Sequence, residues 1–84
     1  MYNYQAEKTR LFSPEGMIII LKARDNAKRL LKSAGAFNGT KIFDDLSVPD
    51  TFFMMAVLDY LVELGDISEL TESDVAGQDR IFIP

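Results

Sequence analysis

Residues 52–64, FFMMAVLDYLVEL, decide how this chain folds. Eleven of these thirteen residues are apolar, and only Asp59 and Glu63 carry a charge. At 3.6 residues per turn the stretch predicts a helix of between three and four turns that is apolar on nearly every side. Because such a helix cannot keep a whole face in water, we expect the rest of the chain to wrap around it or a second protein to cover part of it.

Turn and strand signals flank this helix. The candidates for the cap of its first turn, on either side of Pro49, are Ser47, Val48, Asp50 and Thr51. Gly65 is the expected end. Residues 67–70 and 80–83 are short β-type runs separated by the polar segment TESDVAGQD, so they predict an antiparallel hairpin with a long tip.

A second helix is predicted upstream, over residues 14–34. Ser13 supplies the N-cap oxygen, Pro14 occupies the first helical position and Gly35 ends the helix. At about 100° per residue, one face carries Ile19, Ile20, Ala23, Ala27, Leu30, Leu31 and Ala34. Between the two helices we predict a turn over residues 36–40 and one or two helical turns over residues 42–47; residues 41–43 also fit a short strand.

Three large apolar side chains of this upstream helix fall outside its apolar face: Met17, Ile18 and Leu21. They would be exposed unless something covers them. One explanation is that the N-terminal arm, residues 1–12, folds back over them, since it carries Tyr2, Tyr4, Leu11 and Phe12. The other explanation is a subunit or partner interface.

Composition limits the chemistry of this chain. Eighty-four residues suit a single domain, residues 1–84, with residues 1–12 as its N-terminal arm. The absence of Cys and His removes disulfides, thiolate chemistry, most zinc sites and the usual acid–base group of neutral pH. The acidic pairs Asp44–Asp45 and Asp59–Glu63 lack the dense ligand spacing of a calcium loop. We therefore predict a non-catalytic protein without a cofactor or a bound metal.

No segment of the sequence resembles a membrane span or a signal peptide. The longest apolar runs, residues 16–21 and 52–58, are far shorter than the roughly 20 residues needed to cross a bilayer. The N-terminus lacks a basic patch followed by an apolar core. We expect a cytoplasmic protein with no membrane partner.

Charge is unevenly distributed along the chain. Residues 1–42 hold eight Lys/Arg against three Asp/Glu, a balance of +5, and residues 43–84 hold one against ten, a balance of −9. Five cations of the upstream helix form a basic strip: Lys22, Arg24, Lys28, Arg29 and Lys32. The strip is a candidate contact for an anion, a nucleic acid or an acidic protein surface, or it is an ordinary solvated helix face.

The order of these elements carries a resemblance. A helix, a turn, a short helix, the sequence LSVPDTFFMMAVLDYLVELGDI and a hairpin resemble the winged-helix variant of the helix-turn-helix domains. Residues 46–48 resemble the small-residue turn before the third helix of that family, and Leu61 with residues 64–67 resembles the exit into the first wing strand. The resemblance covers residues 14–84. It implies a small α/β domain of the α+β type, with three helices followed by a two-stranded antiparallel wing.

The same resemblance implies a contact with DNA, because the third helix of that family enters the major groove. The corresponding positions here are Asp50, Thr51, Phe52, Phe53, Met54 and Met55, without a cation. The predicted wing carries Glu69, Glu72, Asp74 and Asp79 beside Arg80. Because phosphate neutralisation supplies most ordinary DNA affinity, an acidic helix and wing disfavour this mode of binding.

Phe and Met side chains suit a protein partner better, since they form adaptable apolar surfaces. Alternatively these side chains belong to the core, although we expect one or two to be exposed. The candidate interface residues are Phe52, Phe53, Met54 and Met55 in the downstream helix, and Met17, Ile18 and Leu21 in the upstream helix.

We therefore expect a small non-catalytic interaction or regulatory domain that acts through exposed apolar surface, with a protein partner or as a homodimer. The alternative is a DNA-binding transcriptional regulator of winged-helix type that contacts nucleic acid through the basic strip. In a third interpretation the acidic C-terminal half engages a basic partner, including a DNA-binding protein whose site it would block.

Overall fold

A computed structural model describes residues 2–70 and 80–84. In that part of the chain the elements are α1 (Tyr4–Lys8), a 3₁₀ turn (Thr9–Phe12), α2 (Pro14–Ala34), β1 (Phe37–Asn38), α3 (Gly39–Leu46), α4 (Thr51–Glu63), β2 (Ser68–Glu69) and β3 (Ile81–Ile83). The α+β class is confirmed. The prediction of three helices and two strands was incomplete, because it did not include α1 and β1.

The ends of the two long helices follow from local chemistry. The Ser13 hydroxyl accepts a hydrogen bond from the backbone N–H of Gly16 at 3.0 Å, and α2 ends at Gly35, whose φ of 79° is left-handed. The Asp50 carboxylate accepts a hydrogen bond from the N–H of Phe53 at 3.0 Å and so caps α4. These contacts satisfy backbone groups that a helix terminus leaves without a partner. Both predicted helices are confirmed.

Helix α4 lies at the centre of the molecule. It contacts α1, the 3₁₀ turn, α2 and α3. Its fully buried side chains pack with residues from all parts of the chain, including Leu11, Ile20, Ile42 and Phe82. Although α4 is strongly apolar, neither it nor any other helix within residues 2–70 and 80–84 is long and apolar enough to cross a membrane.

The three strands form one antiparallel sheet in the order β1–β3–β2. The predicted hairpin strands are present as the pair β2–β3, with Ser68 opposite Ile83, and the tip predicted for residues 71–79 lies outside the described residues. The turn predicted over residues 36–40 is wrong: Phe37 pairs with Phe82 across the sheet, and Asn38 caps α3. Local sequence could not indicate this strand, because its partner strand lies far along the chain. The rings of Phe37 and Phe82, one from each strand, stack with their centres 5.4 Å apart.

The N-terminal segment, which is residues 2–12 and contains α1 and the 3₁₀ turn, is part of the fold. Leu11 is fully buried, and α1 packs on α4. The return of the chain into α2 is tight, since a Cβ atom at Gly16 would lie 2.5 Å from the carbonyl oxygen of Leu11. A residue without a side chain is therefore required where the segment turns into α2.

Candidate interaction surfaces

The N-terminal segment covers the outer face of α4. The Tyr2 hydroxyl donates a hydrogen bond to Asp59, and the Tyr4 hydroxyl donates one to Glu63 at 3.2 Å. The Lys8 ammonium group donates to both oxygens of Glu63 at 3.0 Å. Both charged residues of the apolar helix therefore have partners in the first eight residues of the chain.

The same covering continues at both ends of α4. At the N-terminal end, the Arg10 guanidinium donates to Asp50 at 2.6 Å and lies 5.3 Å from the centre of the Phe53 ring. Nearer the C-terminal end, the ring of Phe12 meets the ring of Tyr60 edge to face at 5.6 Å. The N-terminal segment therefore follows α4 along most of its length.

These contacts shift the pKa values of several groups on this face. Hydrogen bonding to Lys8 lowers the pKa of Glu63, and hydrogen bonding to Arg10 lowers the pKa of Asp50. Burial, with the hydrogen bond to Glu63, raises the pKa of Tyr4 to about 12, and burial with the hydrogen bond to Asp59 raises the pKa of Tyr2 well above its usual value. At neutral pH Glu63 and Asp50 are therefore charged and both tyrosines are protonated.

A charged cluster behind this face joins three parts of the chain. The Arg80 guanidinium, next to β3, pairs with Asp59 of α4 and with Glu69 of β2, and Asp59 also accepts the hydroxyl of Tyr2. Burial alone would lower the pKa of Arg80, but its hydrogen bonds to both carboxylates outweigh burial and raise it. The cluster was not predicted, although two carboxylates in an otherwise apolar helix indicate that donors must reach them.

Two of the four candidate interface residues of α4 are not available. Phe53 and Met54 are buried, so assigning them to an interface was wrong; the packing of the N-terminal segment, α2 and α3 around α4 encloses both. Phe52 stays 40% exposed, with its ring 5.8 Å from that of Tyr2. Met55 is half-buried and lines a cleft of about 260 Å³ between α3 and α4. The expectation that one or two of the four are exposed is confirmed.

The outer face of α2 has the opposite character. Met17, Ile18 and Leu21 are 39%, 54% and 48% exposed. Residues spaced by one, three and four positions share an arc of about 100° on a helix, so the three side chains form one patch, the apolar patch. Of the two explanations for these side chains, covering by the N-terminal arm is wrong, because the N-terminal segment lies on α4 and binds the carboxylates there.

The basic strip continues the line of the apolar patch along α2. Its residues Lys22, Lys28, Arg29 and Lys32 are exposed, and Arg24 is half-buried. Lys28 lies seven residues, or about two turns, after Leu21 on the same side of the helix. Asp25 is the one acidic residue among them. The outer face of α2 is therefore apolar in its first turns and cationic in its last.

Ion pairing separates the cations of α2 from the other cations of the protein. The four Lys/Arg outside α2 all form ion pairs: Lys8, Arg10, Lys41 and Arg80. No cation of the basic strip forms an ion pair with a carboxylate in residues 2–70 and 80–84. The nearest arrangement is a relay in which Arg29 donates to the side-chain oxygen of Asn26, whose amide donates to Asp45.

Comparisons of this chain with protein-family models, with curated proteins and with solved structures found no match. Its function therefore has to follow from its own residues.

Proposed function

We propose that this protein is a small non-catalytic interaction domain of winged-helix topology that binds a protein through the apolar patch of α2. The order of the elements supports the topology. Helices α2, α3 and α4 follow one another and lead into the antiparallel pair β2–β3, as the sequence resemblance implies. In this proposal β1 adds a third strand to the wing, and α1 is an addition before the winged-helix elements.

The apolar patch is the observation that carries the binding function. Met17, Ile18 and Leu21 stand together on one helix, each more than a third exposed, and none of them belongs to the apolar core of the described residues or packs against it. Exposed apolar side chains that cluster in this way favour protein recognition, because covering them removes apolar area from water. Single exposed apolar residues scattered over a surface are common and would not indicate a binding site.

Binding of DNA through α4 is disfavoured on two grounds. The N-terminal segment occupies the outer face of that helix. The charged residues of α4 and its cap are Asp50, Asp59 and Glu63, all acidic. A duplex would have to displace the segment and would then meet carboxylates, so phosphate contacts could not supply the affinity.

The test compares Ile18→Asp with Leu64→Asp. Leu64 is 52% exposed, close to the exposure of Ile18, but lies just beyond α4. Each variant would be used to capture partners from cell extract and would be examined by sedimentation equilibrium over a wide concentration range. We expect Ile18→Asp to lose the partners that the wild-type protein captures and Leu64→Asp to keep them.

The sedimentation data decide whether the partner is a second copy. A wild-type dimer that Ile18→Asp dissociates and Leu64→Asp does not would make the apolar patch a homodimer interface. Capture and self-association that both survive Ile18→Asp would contradict the proposal.

The second candidate is a nucleic-acid-binding regulator that uses the basic strip. The observation that favours it is the lack of ion pairs for these five cations among the described residues. Substitution of Arg24, Lys28 and Arg29 by Glu should abolish duplex binding in that case and leave association through the apolar patch intact. The net charge of −4 opposes this candidate.

A further inference from the structure

We infer that the partner of α2 is an acidic amphipathic helix, whose apolar residues cover the apolar patch and whose carboxylates meet Lys28 and Lys32. This inference rests on the proposed function and adds the chemistry of the partner to it. Three observations support it: the distribution of ion pairs, the spacing along α2, and the state of the carboxylates on this chain.

The distribution of ion pairs leaves a cationic surface to be matched. In the N-terminal segment, α3 and the sheet, each Lys or Arg is opposed by a carboxylate within 3.0 Å. On α2, Lys22, Lys28 and Lys32 are exposed and have no such partner within the described residues. A surface that is cationic and unmatched selects a partner with the opposite charge.

The spacing along α2 fixes where the partner needs its charges. At 1.5 Å per residue, Lys28 lies about 10 Å and Lys32 about 16 Å along the helix from Leu21. A helix laid along α2 therefore needs carboxylates two to three turns away from its apolar contacts. Carboxylates are most favourable in the first turn of a helix, next to the positive end of its dipole. The partner helix therefore runs antiparallel to α2, with its acidic first turns beside Lys28 and Lys32.

A second copy of this chain is a poor source of that helix. Among the described residues, the most apolar helix that carries carboxylates is α4, and its carboxylates are already bound: Asp59 pairs with Arg80 and Tyr2, and Glu63 pairs with Lys8 and Tyr4. Nucleic acid is also a poor match, because its phosphate backbone offers no apolar surface to Met17, Ile18 and Leu21. A separate acidic protein segment satisfies both ends of the surface.

Fluorescence anisotropy with labelled peptides tests the inference on the full-length protein. The acidic peptide carries Glu in its first two turns, followed by a Leu/Ile stripe at helical spacing. The matched peptide has Gln at each Glu position, since Glu and Gln have similar helix propensities, and circular dichroism confirms equal helicity. A labelled DNA duplex is the third probe. We expect the acidic peptide to bind about tenfold more tightly than the Gln peptide at low salt, and this difference to shrink at about 0.5 M salt.

Three variants locate the contacts. Lys28→Gln and Lys32→Gln should each lower the affinity for the acidic peptide by about two- to fivefold and leave the affinity for the Gln peptide unchanged. Lys8→Gln removes the same charge from α1 and should change the affinity for neither peptide. Ile18→Asp should abolish the binding of both.

The outcomes separate this inference from the proposed function. Equal binding of the two peptides, lost in Ile18→Asp, overturns the acidic partner and keeps the apolar binding surface. Binding that Ile18→Asp leaves unchanged overturns both. A duplex that binds more tightly than the acidic peptide identifies the strip as a nucleic-acid surface and overturns the inference. Absence of peptide binding up to about 1 mM also overturns it, and the capture experiment with Ile18→Asp then decides the proposed function.

Discussion

Helices α2 and α4 both carry more apolar side chains than one face can bury, yet they end in opposite situations. Most of the surplus on α4 is covered by the N-terminal segment, which places Tyr2, Arg10 and Phe12 over it, and Phe52 alone among the large apolar side chains of that helix stays more than a third exposed. The surplus on α2 remains in solvent at Met17, Ile18 and Leu21. Because the N-terminal segment covers α4, the larger apolar surface that stays in solvent is on α2.

Charge complementarity explains why the N-terminal segment packs on α4 and not on α2. The segment carries Lys8 and Arg10, which form ion pairs with Glu63 and Asp50 on α4. On the outer face of α2 the same two cations would meet the cations of the basic strip. Opposite charges favour the observed docking and like charges disfavour the alternative. The same pairing leaves the basic strip without a carboxylate of its own within the described residues.

The largest difference between the two helices should appear when the same residue type is truncated in each. Leu61 of α4 is fully buried, and Leu21 of α2 is 48% exposed. We expect Leu61→Ala to lower the free energy of unfolding by about 2–5 kcal/mol, because it removes packed methyl groups and leaves a cavity. Leu21→Ala should change it by less than about 1 kcal/mol. Urea denaturation followed by circular dichroism measures both, and comparable losses would mean that the apolar patch is part of the core.

The charged cluster behind α4 should show the next largest effect. The Arg80 side chain is 14% exposed and holds two carboxylates, whereas the Lys41 side chain is 56% exposed and pairs with Asp45 only. We expect Arg80→Gln to lower the free energy of unfolding by about 2–3 kcal/mol, because Asp59 and Glu69 stay half-buried without a cation. Lys41→Gln, the matched control, should cost at most about 1 kcal/mol. If the two variants were equally stable, the cluster would not hold the N-terminal segment, α4 and the sheet together.

The smallest effect should come from the tyrosines that dock on α4, and it depends on pH. The pKa of Tyr4 is raised to about 12 and that of Tyr2 is also raised, whereas tyrosine in the unfolded chain titrates near 10. The folded state therefore keeps protons that the unfolded state loses. The contribution of Tyr4 to stability is complete below about pH 10 and is lost as the pH rises toward 12, and that of Tyr2 is also complete below about pH 10 and falls as the pH rises above it.

The variant Tyr2→Phe/Tyr4→Phe isolates this contribution. At pH 7 the loss of two hydrogen bonds should cost about 1–2 kcal/mol, and the free energy of unfolding should then fall less steeply between pH 10 and 12 than in the wild-type protein. Denaturation at a series of pH values measures the slope. Parallel curves for the two proteins would show that the tyrosines do not hold the segment on α4.

Several elements could be predicted because their causes are local. Ser13, Pro14 and Gly35 delimit α2 through cap and backbone preferences that depend on neighbouring residues only. Ile20, Ala23 and Ala27 are buried as the helical period requires. The pair β2–β3 follows from two β-type runs flanking one polar segment.

Other features could not be predicted because their causes lie far apart in the chain. Phe37 lies in a strand through its pairing with Phe82, whose ring stacks on it, and α1 forms where Tyr4 and Lys8 meet Glu63. A helical period marks Phe53 and Met54 as apolar but does not tell whether another element will cover them.

The sequence by itself determined the α+β class, the two long helices with their ends, and the three apolar residues that the buried face of α2 cannot hold. Only the tertiary structure decided that the N-terminal segment covers α4 and leaves the apolar patch and the basic strip of α2 exposed. The physical reason is that capping and periodicity act between neighbours in the chain, whereas covering a helix depends on which charged and apolar groups from distant positions meet on it.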